Sequence, residues 1–265
     1  MKVAIISDIH GNRQAFEAVL KDIVDASVAE VWCLGDLVGY GADPDACVDL
    51  ARDNTDLCLA GNHDLAVAGK IPLDDFSRGA AIAVRWTQDV IAPANRDFLA
   101  TLRPSAVRDA IGLYHASPRD EVWEYVLSAL LAELCFDAAR HRLNLLGHSH
   151  VALSFERLEG HPATGETRRA ESMLDLRAGE WLQTHCGSEA AQSRRPPRPG
   201  ICIRPCRPGA GWRPRSRGRS RPGARLRSWD VWRRGPALAR TRTWPERPLR
   251  SSCAIDRRIR WSSRL

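Results

Sequence analysis

The strongest constraint on the fold is a regular alternation of short apolar segments and amphipathic segments over residues 1–183. Short β-prone runs predict buried strands at residues 3–7, 30–34, 57–60, 111–115 and 143–146, and at 151–158, 173–176 and 180–182 in a second sheet or its edge. Apolar residues at helical spacing predict a helix capped by Asn12 and further helices at 44–51, 77–90, 94–102 and 126–139. Strands that alternate with helices indicate an α/β domain.

Polar clusters follow five of the predicted strands, each at the carboxyl end of its strand. The segments are Asp8-Ile9-His10-Gly11-Asn12, Gly35-Asp36, Gly61-Asn62-His63-Asp64, the single residue His115, and Gly147-His148-Ser149-His150. Taken singly, each has a simple structural explanation, such as a turn after a strand or a polar loop. Ligands of open α/β sheets bind beyond the carboxyl ends of strands, so five such clusters together favour one shared site.

The chemistry of these side chains suits divalent metal ions. Carboxylate and amide oxygens are hard ligands, and neutral imidazole suits Mn, Fe, Ni or Zn. The spacing Asp8-x-His10, repeated as His148-x-His150, places both side chains of a pair on the same side of an extended segment. Asp36 follows a buried strand as a single carboxylate whose two oxygens can bridge two ions. Two ions about 3.5–4 Å apart can generate a hydroxide nucleophile and neutralise a phosphoryl transition state.

These five clusters, in this order, resemble the motif set of the calcineurin-like metallophosphoesterase superfamily, and in particular its small prokaryotic phosphodiesterases. The resemblance covers about residues 1–183. It implies a four-layer αββα sandwich with a dinuclear metal site at one edge of the stacked sheets. It also implies two divalent ions as cofactors, with Mn²⁺ expected first and Fe, Ni or Zn as alternatives.

The resemblance also implies a role for each site residue. The first metal would be held by Asp8, His10, Asp36 and His150, and the second by Asp36, Asn62, His115 and His148, with Asp36 bridging. His63 would contact the phosphate beside Asn62 and protonate the leaving oxygen. Asp64 would orient the His63 imidazole and raise its basicity.

The expected function is a metal-dependent phosphodiesterase that hydrolyses small or nucleotide-like phosphoesters through a hydroxide bridging the two metals. The stretch Gly35-Asp36-Leu37-Val38-Gly39-Tyr40-Gly41 lacks the Asp-Arg pair of the Gly-Asp-x-Val-Asp-Arg-Gly signature typical of protein phosphatases and symmetric dinucleoside-tetraphosphatases. A phosphomonoesterase or dinucleoside-polyphosphate hydrolase of the same superfamily is the alternative. From another class, a non-catalytic nucleic-acid-binding protein would act through the basic tail. An intact metal site on a chain too truncated to fold stably is a further alternative.

Charge and composition divide the chain near residue 185. Residues 191–265 hold 22 of the 39 Lys and Arg and only 3 of the 32 Asp and Glu, a net charge of +19 against −12 for residues 1–190. From residue 186 onward there is no Lys, His, Asn, Phe, Tyr or Met, and Arg, Pro, Gly, Ser and Trp dominate. This composition is typical of a disordered, low-complexity segment. We therefore predict a metallophosphoesterase domain at 1–185 and a tail at 186–265.

Two origins of this tail remain open. One is GC-rich coding DNA read in a shifted frame, and the other is a genuine Arg- and Trp-rich arm that binds RNA. The segment Thr184-His185-Cys186-Gly187-Ser188-Glu189 stands where related proteins have a segment resembling Asn-Pro-Gly-Ser-Val-Gly-Gln-Pro-Arg and then further strands. Because nothing strand-like is predicted after it, one sheet is expected to be incomplete at its C-terminal edge.

The sequence also predicts location. No apolar run approaches the roughly 20 residues that span a bilayer. The apolar run at residues 3–6 is followed closely by Asp8 and His10, unlike the apolar region of a secretory signal. The expectation is a cytoplasmic protein with no membrane partner, while its oligomeric state is open.

Overall fold

The computed structural model describes residues 2–168, 173–175, 179–184, 201–204 and 258–261. All of them belong to one compact unit that comprises Met1–Cys206 and Ile255–Leu265. The other unit, Arg207–Ala254, lies outside the described residues.

Six helices and twelve strands occur in the part of the chain that the structure describes. The helices are α1 Arg13–Asp25, α2 Pro44–Asn54, α3 Asn62–Val67, α4 Arg78–Val90, α5 Pro93–Thr101 and α6 Ala129–Ala138. The strands are β1 Val3–Ile6, β2 Glu30–Cys33, β3 Leu57–Cys58, β4 Ser105–Arg108, β5 Ile111–Tyr114, β6 Leu143–Leu146, β7 Leu153–Arg157, β8 Thr164–Thr167, β9 Met173–Asp175, β10 Glu180–Thr184, β11 Ile201–Arg204 and β12 Arg258–Trp261. None of the described helices is both long and apolar enough to cross a membrane.

The strands form two six-stranded mixed sheets. The first sheet has the order β3-β2-β1-β11-β12-β9, in which β1, β2 and β3 are parallel. The second has the order β4-β5-β6-β10-β7-β8, in which β5, β6 and β10 are parallel. In both sheets, the remaining strands pair antiparallel. The parallel central strands place several carboxyl ends at one edge of each sheet, which is where ligands bind in such folds.

Side-chain alternation in the parallel strands builds the layers. Val3 and Ile5 of β1 face the second sheet and pack in a core that it shares through Leu113 and Leu145. Alternate residues of β1 and β2 face outward and pack against helices α1 to α5. On the opposite surface, α6 packs over β6 and β7, for example through Phe136. The layers are therefore helices, sheet, sheet and helix, which confirms the predicted αββα sandwich.

Two strands contradict the prediction that nothing strand-like follows Glu189. Strand β11 pairs antiparallel with β1, and β12 pairs with β11 and β9. Their sequences, Ile201-Cys202-Ile203-Arg204 and Arg258-Ile259-Arg260-Trp261, contain β-branched or alternating residues within a segment whose composition otherwise predicts no structure. The first sheet therefore continues beyond β1 at the side where it was predicted to be open.

Other predicted elements shift by a few residues. The strand predicted at 173–176 lies in the first sheet as β9, not in the second. The helix predicted from residue 126 begins at Ala129, because the Ser128 hydroxyl caps it by accepting from the Leu131 amide at 3.3 Å. The predicted division at residue 185, the disorder of the tail, its shifted reading frame and the RNA-binding arm concern a segment that lies almost wholly outside the described residues.

Candidate metal centre

The predicted site residues come together where the two sheets meet, at the carboxyl ends of β1, β2, β5 and β6. Five of them adopt a left-handed backbone with positive φ: Asp8 at 55°, His10 at 51°, Asp36 at 57°, His148 at 61° and His150 at 54°. Non-glycine residues rarely adopt this conformation, and where it persists it is concentrated at functional sites. These sharp turns aim the side chains of both sheets into one buried space.

One group of potential ligands joins the two sheets through Asp8, His10 and His150, whose ligand atoms lie within 4.8 Å of one another. His150 Nε2 is 3.4 Å from Asp8 Oδ1 and 3.1 Å from His10 Nε2. Asp8 and His10 follow β1 in the first sheet, whereas His150 follows β6 in the second. This group contains three of the four residues predicted to hold the first metal.

A second group comprises Asp36, His115 and His148, also within 4.8 Å of one another. His115 Nε2 lies 3.2 Å from Asn62 Oδ1 and 3.5 Å from Asp36 Oδ2. All four side chains belong to buried residues. They are the four residues predicted to hold the second metal.

Asp36 belongs to the second group and also faces the first. Its Oδ2 is 3.6 Å from His10 Nε2 and 3.5 Å from His115 Nε2, and its Oδ1 accepts from the His63 amide at 2.9 Å. Gly61 makes room for this carboxylate, since a Cβ there would lie 1.9 Å from Asp36 Oδ1. A single carboxylate that faces both groups is the geometry expected of a bridging ligand.

Hydrogen bonds to the backbone fix the imidazole tautomers. His10 Nδ1 is 3.1 Å from the Val38 carbonyl oxygen, and His115 Nδ1 is 2.9 Å from that of Leu34. A carbonyl only accepts, so both Nδ1 atoms carry the proton and both Nε2 atoms present lone pairs. In His148, Nε2 lies 3.2 Å from the Trp123 carbonyl oxygen and therefore carries the proton, so the lone pair of this imidazole is on Nδ1.

The donor set fits cations. Lone pairs of the His10 and His115 Nε2 atoms point at the oxygens of Asp36 and Asn62, which carry only lone pairs when Asp36 is ionised. Acceptors that face acceptors in a buried space repel one another unless a positive ion lies between them. Backbone carbonyls behind metal-binding imidazoles are the usual means of orienting such ligands.

Burial sets the protonation states of these groups. It lowers the pKa of His10 to about 3 and that of His148 to about 3, so both imidazoles are neutral at physiological pH and able to bind metal. Burial raises the pKa of Asp36 well above its usual range, and Asp64 and Asp8 add to this effect. For Asp8, burial acts in the same direction but is outweighed by nearby histidines, His150 foremost, and the pKa is lowered. A cation between these groups would favour the ionised carboxylates.

The Asp64 carboxylate, predicted to orient the His63 imidazole, has backbone partners in the structure. It accepts from the Val38 amide at 3.1 Å and from the Gly61 amide at 2.9 Å, at the start of α3. Among the described residues, His63 Nδ1 has no hydrogen-bond partner. Asp64 has these partners because it is the third residue of a short helix, where a carboxylate reaches the free amides of the preceding turn.

Aromatic packing positions His63. Its ring lies 4.6 Å from Tyr40, 4.9 Å from His10 and 5.1 Å from Phe76, measured between centroids. Gly39 permits this position, since a Cβ there would lie 2.2 Å from His63 Nδ1. Burial, with the neighbouring histidines, holds the pKa of His63 well below its usual range.

A cavity of about 310 Å³ opens over the site. Besides His10, Asp36, Asn62, His63, His148 and His150, its lining includes the aromatic residues Tyr40, Phe76, Trp123 and Tyr125. No motif marks these four residues as functional in the sequence, because they belong to three separate loops.

Comparison with known proteins agrees with this geometry. Residues 1–180 match the family model of the calcineurin-like phosphoesterase superfamily domain. The chain is 42% identical over 155 residues to the uncharacterized protein MJ0912 of Methanocaldococcus jannaschii, an alignment that spans 56% of this chain and 62% of that protein.

Solved structures show the same architecture. The chain is similar to a metallophosphoesterase from Sphaerobacter thermophilus, at 33% identity and a TM-score of 0.61 over 71% of this chain and 76% of that one. It also shares its fold with the hypothetical protein PH1004 from Pyrococcus horikoshii OT3, at 14% identity and a TM-score of 0.52 over 73% and 91% of the two chains. The family model covers more than half of the sequence and includes every predicted site residue, so the chain belongs to the calcineurin-like phosphoesterase superfamily.

Proposed function

We propose that this protein is a metal-dependent phosphodiesterase whose two metal ions bind between the sheets. The observation that carries the proposal is that the Asp36 carboxylate faces two groups of potential metal ligands, whose lone pairs are directed inward from both sheets. Superfamily membership makes phosphoester hydrolysis the reaction class. Mn²⁺ as the native ion, a nucleotide-like substrate and a cytoplasmic location stay predictions from the sequence.

The residues would divide between the ions as the sequence predicted. Asp8, His10 and His150 would hold one ion and Asn62, His115 and His148 the other, with Asp36 shared. Two divalent ions in these positions would activate water and neutralise charge on the phosphoryl group. The chain itself orients the imidazoles through the Val38, Leu34 and Trp123 carbonyls, so little reorganisation is needed on binding.

His63 would act on the phosphate and the leaving oxygen. It lines the cavity beside Asn62, and its low pKa keeps the imidazole neutral in the free protein. A neutral imidazole donates one hydrogen bond to a phosphoryl oxygen. A bound phosphate would raise the pKa of this imidazole and so favour its acting as a general acid.

The charge of the cavity favours a diester over a monoester. Among the described residues that line it, there is no Lys or Arg, and Asp75 adds a negative charge. A phosphodiester carries one negative charge, whereas a monoester or a polyphosphate carries more, and enzymes for such substrates commonly place cationic side chains on them. Here only the metal ions and His63 would balance the charge.

A metal-reconstitution assay on the full chain tests this function. The protein is stripped of metal with a chelator and assayed with a phosphomonoester and a phosphodiester of p-nitrophenol after addition of Mn²⁺, Ni²⁺, Fe²⁺ or Zn²⁺. We expect no activity in the stripped protein, restoration by at least one ion, and faster hydrolysis of the diester. His150→Ala should abolish the restored activity, and the exposed His161→Ala should not change it. Undiminished activity after stripping would refute a metal-dependent mechanism, and a faster monoester would refute the diester preference.

A further inference from the structure

Four aromatic residues surround the mouth of the candidate metal centre, and we call Tyr40, Phe76, Trp123 and Tyr125 the aromatic wall. Phe76 and Trp123 meet edge to face at 4.9 Å between ring centroids. Tyr125 stacks on the His148 ring at 4.0 Å, and Tyr40 lies 4.6 Å from the His63 ring. Tyr40 is 38% exposed and Tyr125 is 51% exposed, so both rings are accessible from solvent at the mouth of the buried polar site.

The loop that carries two of these residues is held in place by its own polar network. The Asp120 carboxylate accepts from the amides of Val122 and Trp123 at 3.0 Å each. The Ser117 hydroxyl donates to Glu124 at 2.5 Å and accepts from the amides of Arg119 and Asp120. Such a network holds the backbone of Trp123 in one position before any ligand arrives.

Trp123 is also linked to the metal centre itself. Its amide is held by Asp120, and its carbonyl faces Nε2 of His148 at 3.2 Å. These two contacts fix the Trp123 backbone, and the edge-to-face contact with Phe76 places the Trp123 ring at the mouth of the same site. The wall is therefore part of the site and not a separate surface patch.

We propose that the aromatic wall binds a planar aromatic substituent of the phosphoester, with Trp123 and Phe76 as the residues that determine specificity. This inference rests on the proposed function for the position of the phosphate. Aromatic side chains attract planar rings by stacking and edge-to-face contact, and they do so with aryl groups and with nucleobases alike. The cavity holds about 310 Å³, at the lower end of the range for small-ligand sites, which suits one ring system beside a phosphate.

Binding of unreactive ligands tests the inference without requiring turnover. Dissociation constants are measured by titration calorimetry on the full chain loaded with Mn²⁺. The ligands are methylphosphinate analogues of the ethyl, cyclohexyl, phenyl and adenosine 5′-esters, in which a methylene group replaces the bridging ester oxygen so that no ester bond can be hydrolysed. Each analogue is called by the name of the ester that it mimics. All carry one negative charge and differ only in the ester group. The cyclohexyl ester matches the phenyl ester in size but has no π system.

We expect the phenyl or the adenosine ester to bind about tenfold more tightly than the cyclohexyl ester. The tighter of the two identifies the ring as a simple aryl group or a nucleobase. Trp123→Leu and, separately, Phe76→Leu should reduce this preference to within about twofold, because each removes one ring of the aromatic wall. Trp86→Leu is the matched control, since Trp86 is 42% exposed on α4 and does not line the cavity.

Two results would overturn the inference. One is equal binding of all four esters, and the other is an aromatic preference that survives both Trp123→Leu and Phe76→Leu. Thermal midpoints of the variants show whether each is folded. If one substitution destabilises the protein, the other variant still measures the contribution of the aromatic wall. Hydrolysis of methyl p-nitrophenyl phosphate is measured in parallel. Hydrolysis without aromatic preference would refute only the inference, and aromatic preference without hydrolysis would refute only the proposed function.

Discussion

The two sheets contribute different chemistry to the site. The first sheet supplies every candidate carboxylate and amide ligand through Asp8, Asp36 and Asn62, together with the imidazoles of His10 and His63. The second sheet supplies only imidazoles, those of His115, His148 and His150. Both predicted metal groups combine residues of the two sheets, and a further group of His10, Asp36 and His63 within 4.8 Å of one another lies on the first sheet alone.

The sheets also differ in how the chain completes them. Every strand of the second sheet lies within residues 105–184, and most of its neighbouring strands are close in sequence. The first sheet takes β11 and β12 from residues 201–204 and 258–261. Strand β1 therefore depends on a segment far along the chain for the backbone hydrogen bonds on one of its sides. The site in turn depends on the first sheet for its carboxylates.

The largest effect should come from the carboxylate that the two ligand groups share. Asp36→Asn removes the charge between His10 and His115 while keeping the shape of the side chain, and we expect hydrolysis of a p-nitrophenyl phosphodiester to fall at least about 100-fold. Steady-state kinetics measure the loss. The control is Asp89→Asn, an exposed carboxylate on α4. Equal activity of the two variants would contradict a shared ligand.

Metal binding should stabilise the contact between the sheets. An ion that binds only the folded state at 100 times its dissociation constant adds about 2.7 kcal/mol to the free energy of unfolding. We expect Mn²⁺ to raise the thermal midpoint of the wild type, and His10→Ala and His115→Ala each to reduce the increase. Retention of the full increase in either variant would show that one sheet suffices to bind the ions.

The dependence of the first sheet on β11 can be tested at Ile203. Strand β11 lies between β1 and β12, so a proline at this position removes a ladder hydrogen bond on whichever side the amide points. Leaving one partner unsatisfied should lower the free energy of unfolding by roughly 1–3 kcal/mol. Ile203→Val keeps the amide and should have a small effect in the same denaturant titration. Equal stability of both variants would contradict the pairing of β11 with β1.

A smaller effect is expected at Gly39, which follows β2 of the first sheet. The residue has φ of +90°, and an added Cβ would lie 2.2 Å from His63 Nδ1. Gly39→Ala should therefore displace the imidazole and reduce kcat about tenfold, equivalent to about 1.4 kcal/mol. Gly79→Ala is the matched control, because no heavy atom lies within 4 Å of the added Cβ. Unchanged kcat in Gly39→Ala would indicate that the position of His63 is not needed for catalysis.

The smallest effect should come from an ion-pair network that joins the second sheet to α6. Arg157 of β7 lies 2.9 Å from Glu133, 2.6 Å from Asp137 and 2.7 Å from Glu180. Because the carboxylates are partly exposed, Arg157→Ala should cost only about 1 kcal/mol, and less at high salt. Denaturant titrations at two salt concentrations measure this cost. Metal-dependent activity should be unchanged, since the network lies outside the site, and a loss of metal binding would contradict this separation.

Much of the site could be predicted from the sequence because its ligands follow strands directly. Asp8, Asp36, His115 and His148 each come within three residues of a strand end, so the prediction of the strand also places the side chain at the sheet edge. The helix α3 was not predicted, because Asn62-His63-Asp64 resembles a loop, whereas the following residues Leu65–Val67 are buried. At the start of that helix, the Asp64 carboxylate accepts from backbone amides.

The sequence by itself determined an α/β domain and the set of candidate ligands, and its resemblance to the superfamily implied the αββα architecture. Short stretches of sequence predict the strands and the motifs that follow them. Because the central strands are parallel, their carboxyl ends lie at the same edge of the sheet. Only the tertiary structure decided that β11 and β12 extend the first sheet, that Asp36 faces both ligand groups, and that four aromatic rings from three loops meet above them. These features depend on contacts between residues far apart in the chain, where no local period or spacing carries a signal.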